Sequence, residues 1–404
     1  MRRVFSGISS WFLQVAMAFR TTWYEVVHDV GAMIFFILLP LFYPVVYTLI
    51  YNPEVVREIP VAVIDDCRTE ASRQFVRMAD AAPEIDVYDY VPNMADAKRL
   101  MAEHKVYAIM HIPHDYGKSI NTGRQTTVTL VCDMSLLLRY RALLSATTAL
   151  QLKLAQDITA AKVSMMGIDS AGNISGLPID SDSHFLGDTQ SGFASFIIPG
   201  IVVLILQQSM VLGIVLLGAT ATERRRRNRG RDPRYEGISS GASVLGKALC
   251  FITFYLPATI YVLHFVPEMF DLPHYGSAVD YLLFIFPMLV AAAFFGQALT
   301  GLARERDDTF LIVVFSSVVM LFLSGLTWPR YAMPEIWKII GDFVPATLGV
   351  EGFVRINSNA ATLAENAGNY IGLWALAAGY LAIAVLVERH IRRKYSNLPG
   401  ADAE

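Results

Sequence analysis

The string Gly241-Ala-Ser-Val-Leu-Gly246-Lys247-Ala248 comes nearest to a catalytic motif. It almost matches GxxxxGK[ST], the loop whose backbone amides and lysine bind nucleotide phosphates. Ala248 replaces the hydroxyl that would hold Mg²⁺, and no predicted strand precedes the glycines. We therefore expect no nucleotide site here. If ATP drives this protein, ATP and Mg²⁺ bind to a separate partner chain.

The pair Asp65-Asp66 follows a predicted strand, where carboxylates can bind a metal, take part in catalysis or cap a turn. We favour the cap. The eight histidines show no metal-ligand spacing, and no GxSxG or HExxH string occurs. The sequence therefore predicts no enzyme chemistry, no bound metal and no cofactor in this chain.

Three cysteines, Cys67, Cys132 and Cys250, are scattered along the chain without a CxxC pair. Zinc-ribbon and redox-motif spacings are thus absent. Cys67 and Cys132 both fall in a segment that we place outside the cytoplasm, where a disulfide can persist. The sequence leaves two readings open for them, a disulfide or two unlinked, buried thiols.

The overall composition is that of a membrane protein. Of the 404 residues, 54% are hydrophobic and 17% are charged, whereas a soluble chain carries about 25% charged residues. The net charge of −3 offers no basic surplus for nucleic acid. We expect membrane lipid as a partner and no nucleic acid.

Six apolar runs are long enough to cross a bilayer core, which needs about 20 residues of helix. The first is longer than a signal-peptide core and has no cleavage site after it, so it should remain as an anchor. We therefore predict an α-helical polytopic protein with six transmembrane helices, at approximately Val30 to Tyr51, Gly192 to Ala221, Val244 to Phe265, Tyr281 to Ala303, Phe310 to Trp328 and Tyr370 to Val387.

Arginine and lysine are concentrated in segments that six spans would place on one side of the membrane. Positive residues mark the cytoplasmic side, so we expect both termini to be cytoplasmic. The loop between the third and fourth spans, Val266 to Asp280, has no Lys or Arg. The positive groups are Arg2, Arg3 and Arg20; Arg224 to Arg234 with Lys247; Arg304 and Arg306; and Arg389, Arg392, Arg393 and Lys394.

Residues 1–29 precede the first span, and Ile8 to Val27 has the pattern of an amphipathic helix. Arg20 and Glu25 lie off its apolar stripe, which predicts a helix lying on the membrane surface. A cytoplasmic helix packed on its own protein is the alternative. The stripe consists of Trp11, Phe12, Val15, Phe19, Trp23 and Val26.

After the first span (residues 30–52), residues 53–190 alternate β-rich and helical stretches, which predicts an α/β extracytoplasmic domain. A polar linker, Gly172 to Gly187, should end it. The predicted strands are Ile59 to Ile64, Ile85 to Val91, Val106 to Ile112 and Thr126 to Cys132. The predicted helices are Thr69 to Ala82, Met94 to His104 and Ser135 to Met166.

Residues 191–388 hold the other five predicted spans, and a cytoplasmic tail follows at 389–404. The connector at 222–243 is strongly basic, which fits lipid binding, enforcement of topology or contact with a cytoplasmic partner. Gln207 and Gln208 lie inside the second span, where they can line a translocation seam or form a hydrogen bond between helices.

Prolines break the segment 325–356, before the last span, into short stretches. Its apolar runs predict a re-entrant hairpin that enters the membrane region where protein buries it. Glu351 and Arg355 are four residues apart and can pair on a helix; that pair is either structural or faces a substrate route. The marked residues of this hairpin are Gly325, Pro329, Pro334, Pro345, Glu351 and Arg355.

These features together resemble the type-2 ABC-transporter permease family. The most specific match is Ser324-Gly-x-x-x-Pro329 followed by Met333-Pro334, Pro345 and Arg355; a second is Glu223-Arg224 with Val244 to Lys247. The basic run Arg226 to Gly237 departs from the Gly-Thr and apolar stretch usual in the family. The resemblance implies that an ABC ATPase subunit contacts Thr222, Glu223, Arg224, Arg225, Arg304, Glu305 and Arg306.

The resemblance also implies a function. We expect the permease subunit of an ATP-driven exporter of amphipathic substrates in a bacterial inner membrane. It would act as a homodimer or a heterodimer with a second permease subunit, and its extracytoplasmic domain would receive cargo or contact a periplasmic adaptor. A non-transporting scaffold or receptor with a ligand-binding extracytoplasmic domain is the alternative. A secondary transporter is a weaker rival, because the spans hold almost no carboxylates.

Overall fold

The computed structural model describes residues 2–51, 56–122, 124–165, 193–272 and 274–396. The chain divides into two compact units, which are residues 53–184 and the remainder, residues 1–52 with 185–404. The predicted linker at 172–187 lies outside the described residues. We call residues 56–165 the α/β unit and the other described residues the helical unit.

The first two helices are α1 (Arg2–His28) and α2 (Val30–Tyr51). Asp29 separates them and caps α2, because its Oδ1 accepts the Ala32 N–H at 3.1 Å. Helix α1 packs on its own protein through Val15 and Ala18. Of the predicted apolar stripe, Val15 and Val26 are buried, whereas Phe12 is 61% exposed.

The α/β unit begins with β1 (Ile59–Asp65), α3 (Glu70–Asp80), β2 (Ile85–Tyr90) and α4 (Met94–Ala102). It continues with β3 (Ala108–Ile112), α5 (Tyr116–Thr122), β4 (Thr129–Cys132) and α6 (Leu137–Met165). These elements confirm the four predicted strands and three predicted helices within a few residues. The short helix α5 was not predicted.

The sheet has the order β2-β1-β3-β4, with β1 parallel to β2 and β3, and β4 antiparallel to β3. Both faces of β1 are buried, which explains its continuous apolar sequence. One face packs on Phe75 of α3 and Leu143 of α6. The other face packs on Ala97 of α4.

The helical unit continues with seven helices in the described residues. Helix α7 is the central one, with Val203, Leu206 and Met210 fully buried. The helices are α7 (Phe193–Arg227), α8 (Ser240–Met269), α9 (Ala278–Leu299), α10 (Arg306–Leu323), α11 (Glu335–Asp342), α12 (Pro345–Asn359) and α13 (Ala367–Ser396).

Five of the helices in the described residues, α2, α7, α8, α9 and α13, are long and apolar enough to cross a membrane. Helix α10 has 18 residues and begins with Arg306, Asp307 and Asp308, so it does not meet that criterion. The predicted extension of this span to Trp328 is wrong, because α10 ends at Leu323 and Gly325 has a φ of +88°.

Helices extend into two segments that the sequence placed outside the spans. The connector 222–243 is helical at both ends, since α7 continues to Arg227 and α8 begins at Ser240. Residues 228–239 remain between them, with one 3₁₀ turn at Pro233–Tyr235. The tail predicted at 389–404 is helical to Ser396, and residues 397–404 lie outside the described residues.

Candidate functional site

Ionic contacts gather four parts of the helical unit at one end, which we call the basic end. These parts are the end of α1, the end of α7 with the connector 228–239, the loop between α9 and α10, and the last turns of α13. Three acidic side chains organise the contacts, namely Glu25, Asp29 and Glu388.

The carboxylate of Glu388 is only 7% exposed and joins three elements. Arg225 of α7 donates to its Oε1 at 2.8 Å, and Arg392, one turn further along α13, donates to the same oxygen at 2.7 Å. Lys247 of α8 lies 3.7 Å from Oε2. One buried anion thus serves three cations, so it holds α7, α8 and α13 together.

Glu25 of α1 is 5% exposed and contacts the connector. Tyr235 donates its hydroxyl to Glu25 Oε2 at 2.9 Å, and Arg234 donates to Oε1 at 3.2 Å. Arg224 pairs with Glu25 and also binds Asp232 through two nitrogens at 3.0 and 3.3 Å. Burial raises the pKa of Tyr235 well above its usual value, so its hydroxyl remains a donor.

Asp29 joins the start of α2 to the start of α10. Arg306 binds both Asp29 oxygens at 2.7 Å, in the bidentate geometry of a strong ion pair. Burial opposes ionisation of Asp29, but the Arg306 guanidinium and the Ala32 N–H outweigh it and lower the pKa of Asp29. The backbone N–H of Arg306 also donates to Glu223 Oε1 at 3.0 Å, which ties α10 to α7.

A solvent-facing depression of about 340 Å³ lies beside the contact between Arg306 and Glu223, and we call it the charged hollow. Arg226 and Glu305 close one side, with a Nη1 to Oε1 distance of 3.4 Å. Arg227 and Asp307 are exposed to solvent. The hollow is lined by Glu223, Arg226, Arg227, Glu305, Arg306 and Asp307.

The predicted ATPase contacts divide into buried and accessible side chains. Thr222 and Arg225 are each 4% exposed, and Arg224 is held by Glu25 and Asp232. Their immediate role is therefore within the chain. Glu305 and Arg304 are exposed and Glu223 and Arg306 are half-buried, so these four remain available to a partner.

Sequence reasoning missed the carboxylates that hold this end together. Glu25 was placed off the apolar stripe of α1, and neither Asp29 nor Glu388 was singled out. The available signal was an acidic residue within a turn of an apolar segment, since a charge that becomes buried there needs a cation as partner. Arg226 and Arg227 lie in the basic connector that was expected to contact a partner, but the family resemblance did not single them out.

The string that resembles a phosphate-binding loop lies inside helix α8 rather than between a strand and a helix. Gly246 is the point of closest approach to α1, because a Cβ there would collide with the Val15 carbonyl and the Ala18 side chain. Lys247 faces Glu388 and lies 4.5 Å from the centre of the Tyr235 ring. Both residues therefore have structural roles.

The other end of the helical unit carries the hairpin, Gly325 to Arg355. Pro334 and Pro345 stand at the starts of α11 and α12, and Pro329 precedes a 3₁₀ turn, as the proline pattern predicts. Helix α12 is deeply packed, with Gly352 against the ring of Phe284 in α9.

An ion cluster connects the elements of the hairpin. The predicted pair is present, with Arg355 Nη2 2.7 Å from Glu351 Oε1. Arg330, which was not predicted, donates to Glu351 Oε2 at 3.1 Å and also pairs with Asp342. These four side chains are 23% to 51% exposed, so water screens them.

Gln207 and Gln208 lie where α7 meets α10. Gln207 is fully buried, and the two amides point to the Met320 sulfur at 3.8 and 2.9 Å. Their amide oxygens accept no hydrogen bond from the part of the chain described. In this structure the glutamines contact a neighbouring helix, one of the two roles expected for them.

In the α/β unit, Asp65 caps the turn after β1, since it accepts bonds from the N–H groups of Cys67 and Arg68 at 3.0 and 2.9 Å. Asp66 pairs with His111 at 2.8 Å. Cys67 and Cys132 are free, half-buried thiols. Among the described residues no group of three His, Cys, Asp or Glu side chains has the geometry of a metal site.

A comparison with protein families identifies the architecture. The model of the ABC-2 family transporter protein matches residues 31–386. The chain belongs to the ABC-2 transporter family. The match runs from α2 into α13 and includes the connector 228–239, the hairpin and the α/β unit. Glu25, Asp29 and Glu388 of the basic end lie just outside the matched residues.

Membership of the ABC-2 transporter family makes this chain a transmembrane component of a transporter, which is not itself catalytic. Permeases of this family typically work with an ATPase partner. A search of curated proteins gave no match.

Proposed function

We propose that this ABC-2 permease is the membrane subunit of an ATP-driven exporter and that an ABC ATPase subunit docks at the charged hollow. The observation that supports this docking site is that the hollow is the accessible face of the ion network described above. A partner at Arg226, Arg227 and Glu305 would press on side chains that are fixed to several helices at once.

The contacts provide a route for motion from the hollow to the spans. Displacement of α10 reaches α2 through Arg306 and Asp29, and displacement of α7 reaches α13 through Arg225 and Glu388. Arg224 and Glu25 add α1 to the group. Because each joint is short and mostly shielded from water, the helices would move together as a rigid body.

In this proposal the basic end faces the cytoplasm, both termini are cytoplasmic, and α10 serves as a sixth span despite its length. The concentration of Arg and Lys at that end supports the orientation. The α/β unit would be extracytoplasmic, where a periplasmic adaptor can reach it. The membrane would be a bacterial inner membrane.

A second permease subunit, identical or related, would complete the transporter. The exposed apolar side chains of α10, including Phe315 and Val318, support a lipid or protein neighbour. ATP and Mg²⁺ would bind the ATPase chains. The cargo would be amphipathic, such as a drug or lipid, because the helices present apolar surfaces.

The test is purification of the tagged full chain from the membranes of its own host into nanodiscs, followed by an assay of orthovanadate-sensitive ATP hydrolysis. Wild-type protein should carry this activity with it. The double change Arg226→Glu and Arg227→Glu should lower the co-purified activity at least about tenfold, because like charges across an interface repel.

The matched control is the double change Lys98→Glu and Arg99→Glu, which alters the charge equally on exposed helix α4 of the α/β unit. It should retain the activity. Wild-type protein that carries no ATP hydrolysis, or equal loss in both double variants, would contradict docking at the charged hollow.

A further inference from the structure

The α/β unit contains an open groove of about 610 Å³ that no role described above uses. It lies where α6 continues past the face of the sheet, beside α5 and the segment that leads into β4. Its volume is within the range of about 300 to 1,000 Å³ that is usual for small-molecule sites.

The walls of the groove are mainly apolar. Its apolar lining includes Phe75, Ile120 and Val128, together with Leu154 and Ile158 of α6. Earlier in α6, Leu143, Ala146 and Leu150 complete the core against the sheet. Leu154 and Ile158 extend the same apolar face beyond that core, so the groove is its open continuation.

Two hydroxyl groups on lining residues lack hydrogen-bond partners among the described residues. The hydroxyl oxygens of Tyr116 and Thr126 are shielded from solvent and unpaired. Tyr116 is only 2% exposed, so its hydroxyl does not reach bulk water either. An unpaired buried polar group is costly, and a polar group of a ligand would satisfy it.

A positive charge stands at the rim. Arg124 lines the groove and is exposed, and no carboxylate of the described residues lies within ion-pair distance of it. Gln125 and Gln151 add polar groups at the edge. Apolar walls with a cationic rim complement a molecule that has an apolar chain and an anionic head.

We propose that this groove binds a single-chain anionic amphiphile of the fatty-acid class. The acyl chain would lie between Phe75 and Ile158, and the carboxylate would pair with Arg124 and accept bonds from the unpaired hydroxyls. The inference does not rest on the proposed export function, because it follows from the lining of the groove alone.

The experiment uses the full chain in nanodiscs and a palmitic acid that carries a photoreactive diazirine. Irradiation should label the peptides that contain Phe75 and Leu154, and the labelling should saturate and be displaced by unlabelled palmitate but not by its uncharged methyl ester. Unsaturable labelling, or equal displacement by the ester, would overturn the proposal.

Substitutions locate the site. Ile158→Asp should raise the concentration for half-maximal labelling about tenfold, because it places an anion in the apolar wall. Its control is Leu152→Asp, on the same helix but outside the groove. Arg124→Gln should weaken binding about fivefold, whereas Arg141→Gln on the exposed side of α6 should not. Equal effects in a variant and its control would overturn the assignment.

Tyr116→Phe separates a ligand-binding hydroxyl from a structural one. Without palmitate, the variant should be at least as stable as the wild type, since it removes an unpaired buried group. With palmitate, it should gain less thermal stability than the wild type. A loss of stability without palmitate, or an undiminished gain with it, would contradict the proposed role of this hydroxyl.

Discussion

The two ends of the helical unit use charge in opposite ways. At the basic end, Glu388 and Glu25 are 7% and 5% exposed, and each neutralises several cations, most of them from other elements. At the hairpin, Glu351 and Arg355 are 28% and 51% exposed, and the helices approach through glycine.

This difference in the burial of charge should make the two ends differ in how easily their helices separate. A buried charge that loses its partner is strongly destabilising, whereas an exposed pair contributes little. We therefore expect the basic end to resist separation of its helices and the hairpin cluster to open at small cost. Such an arrangement suits a transporter that receives force at one end and must rearrange at the other.

The largest expected effect is at Glu388. The change Glu388→Gln keeps the shape but leaves Arg225, Lys247 and Arg392 without their buried counter-charge. The free energy of unfolding, measured by SDS titration in mixed micelles, should fall by about 3 to 5 kcal/mol. Glu335→Gln, at an exposed hairpin pair, is the control and should stay within about 0.5 kcal/mol. Similar losses of unfolding free energy in both variants would show that buried charge does not distinguish the basic end from the hairpin.

Packing rather than charge is tested at Gly352. A methyl group there would overlap the ring of Phe284, so Gly352→Ala should cost about 1 to 3 kcal/mol in the same titration. Gly368→Ala is the matched control, since nothing lies within 4 Å of the added carbon. If Gly352→Ala proves as stable as Gly368→Ala, close packing does not hold α12.

A smaller effect is expected at Asp29. Asp29→Asn removes the charge that binds Arg306, at a cost of about 1 to 2 kcal/mol at neutral pH. Because the pKa of Asp29 is lowered in the folded state, its contribution is complete above about pH 4 and is lost as pH falls further. The difference between wild type and variant should therefore shrink below about pH 4. A difference that grows on acidification would reverse the sign of this linkage.

The smallest effect should come from the hairpin cluster. Glu351→Gln removes a carboxylate that is shared by two half-exposed arginines. The free energy of unfolding should change by less than about 1 kcal/mol, and the change should vanish in high salt. A loss as large as that of Glu388→Gln would show that the two ends do not differ as described.

Much of the architecture could be predicted because its signals are local. The apolar runs of α2 and α7 and the start of α3 near Thr69 are each visible within a short stretch of sequence. The ion pairs that join the helices at the basic end could not be predicted. Arg225 and Glu388 are 163 positions apart, and sequence alone does not specify which of many arginines reaches that carboxylate. Helix α1 was also misread in part, because its buried face includes polar Thr22 and Glu25.

The central claim is that the basic end faces the compartment that supplies ATP. It is tested most directly with single cysteines at Arg227 and Tyr331, both exposed positions, after Cys67, Cys132 and Cys250 are changed to serine. A membrane-impermeant maleimide applied to intact cells should label Tyr331→Cys at once and Arg227→Cys only after permeabilisation. Labelling of Arg227→Cys in intact cells, with Tyr331→Cys protected, would contradict the account.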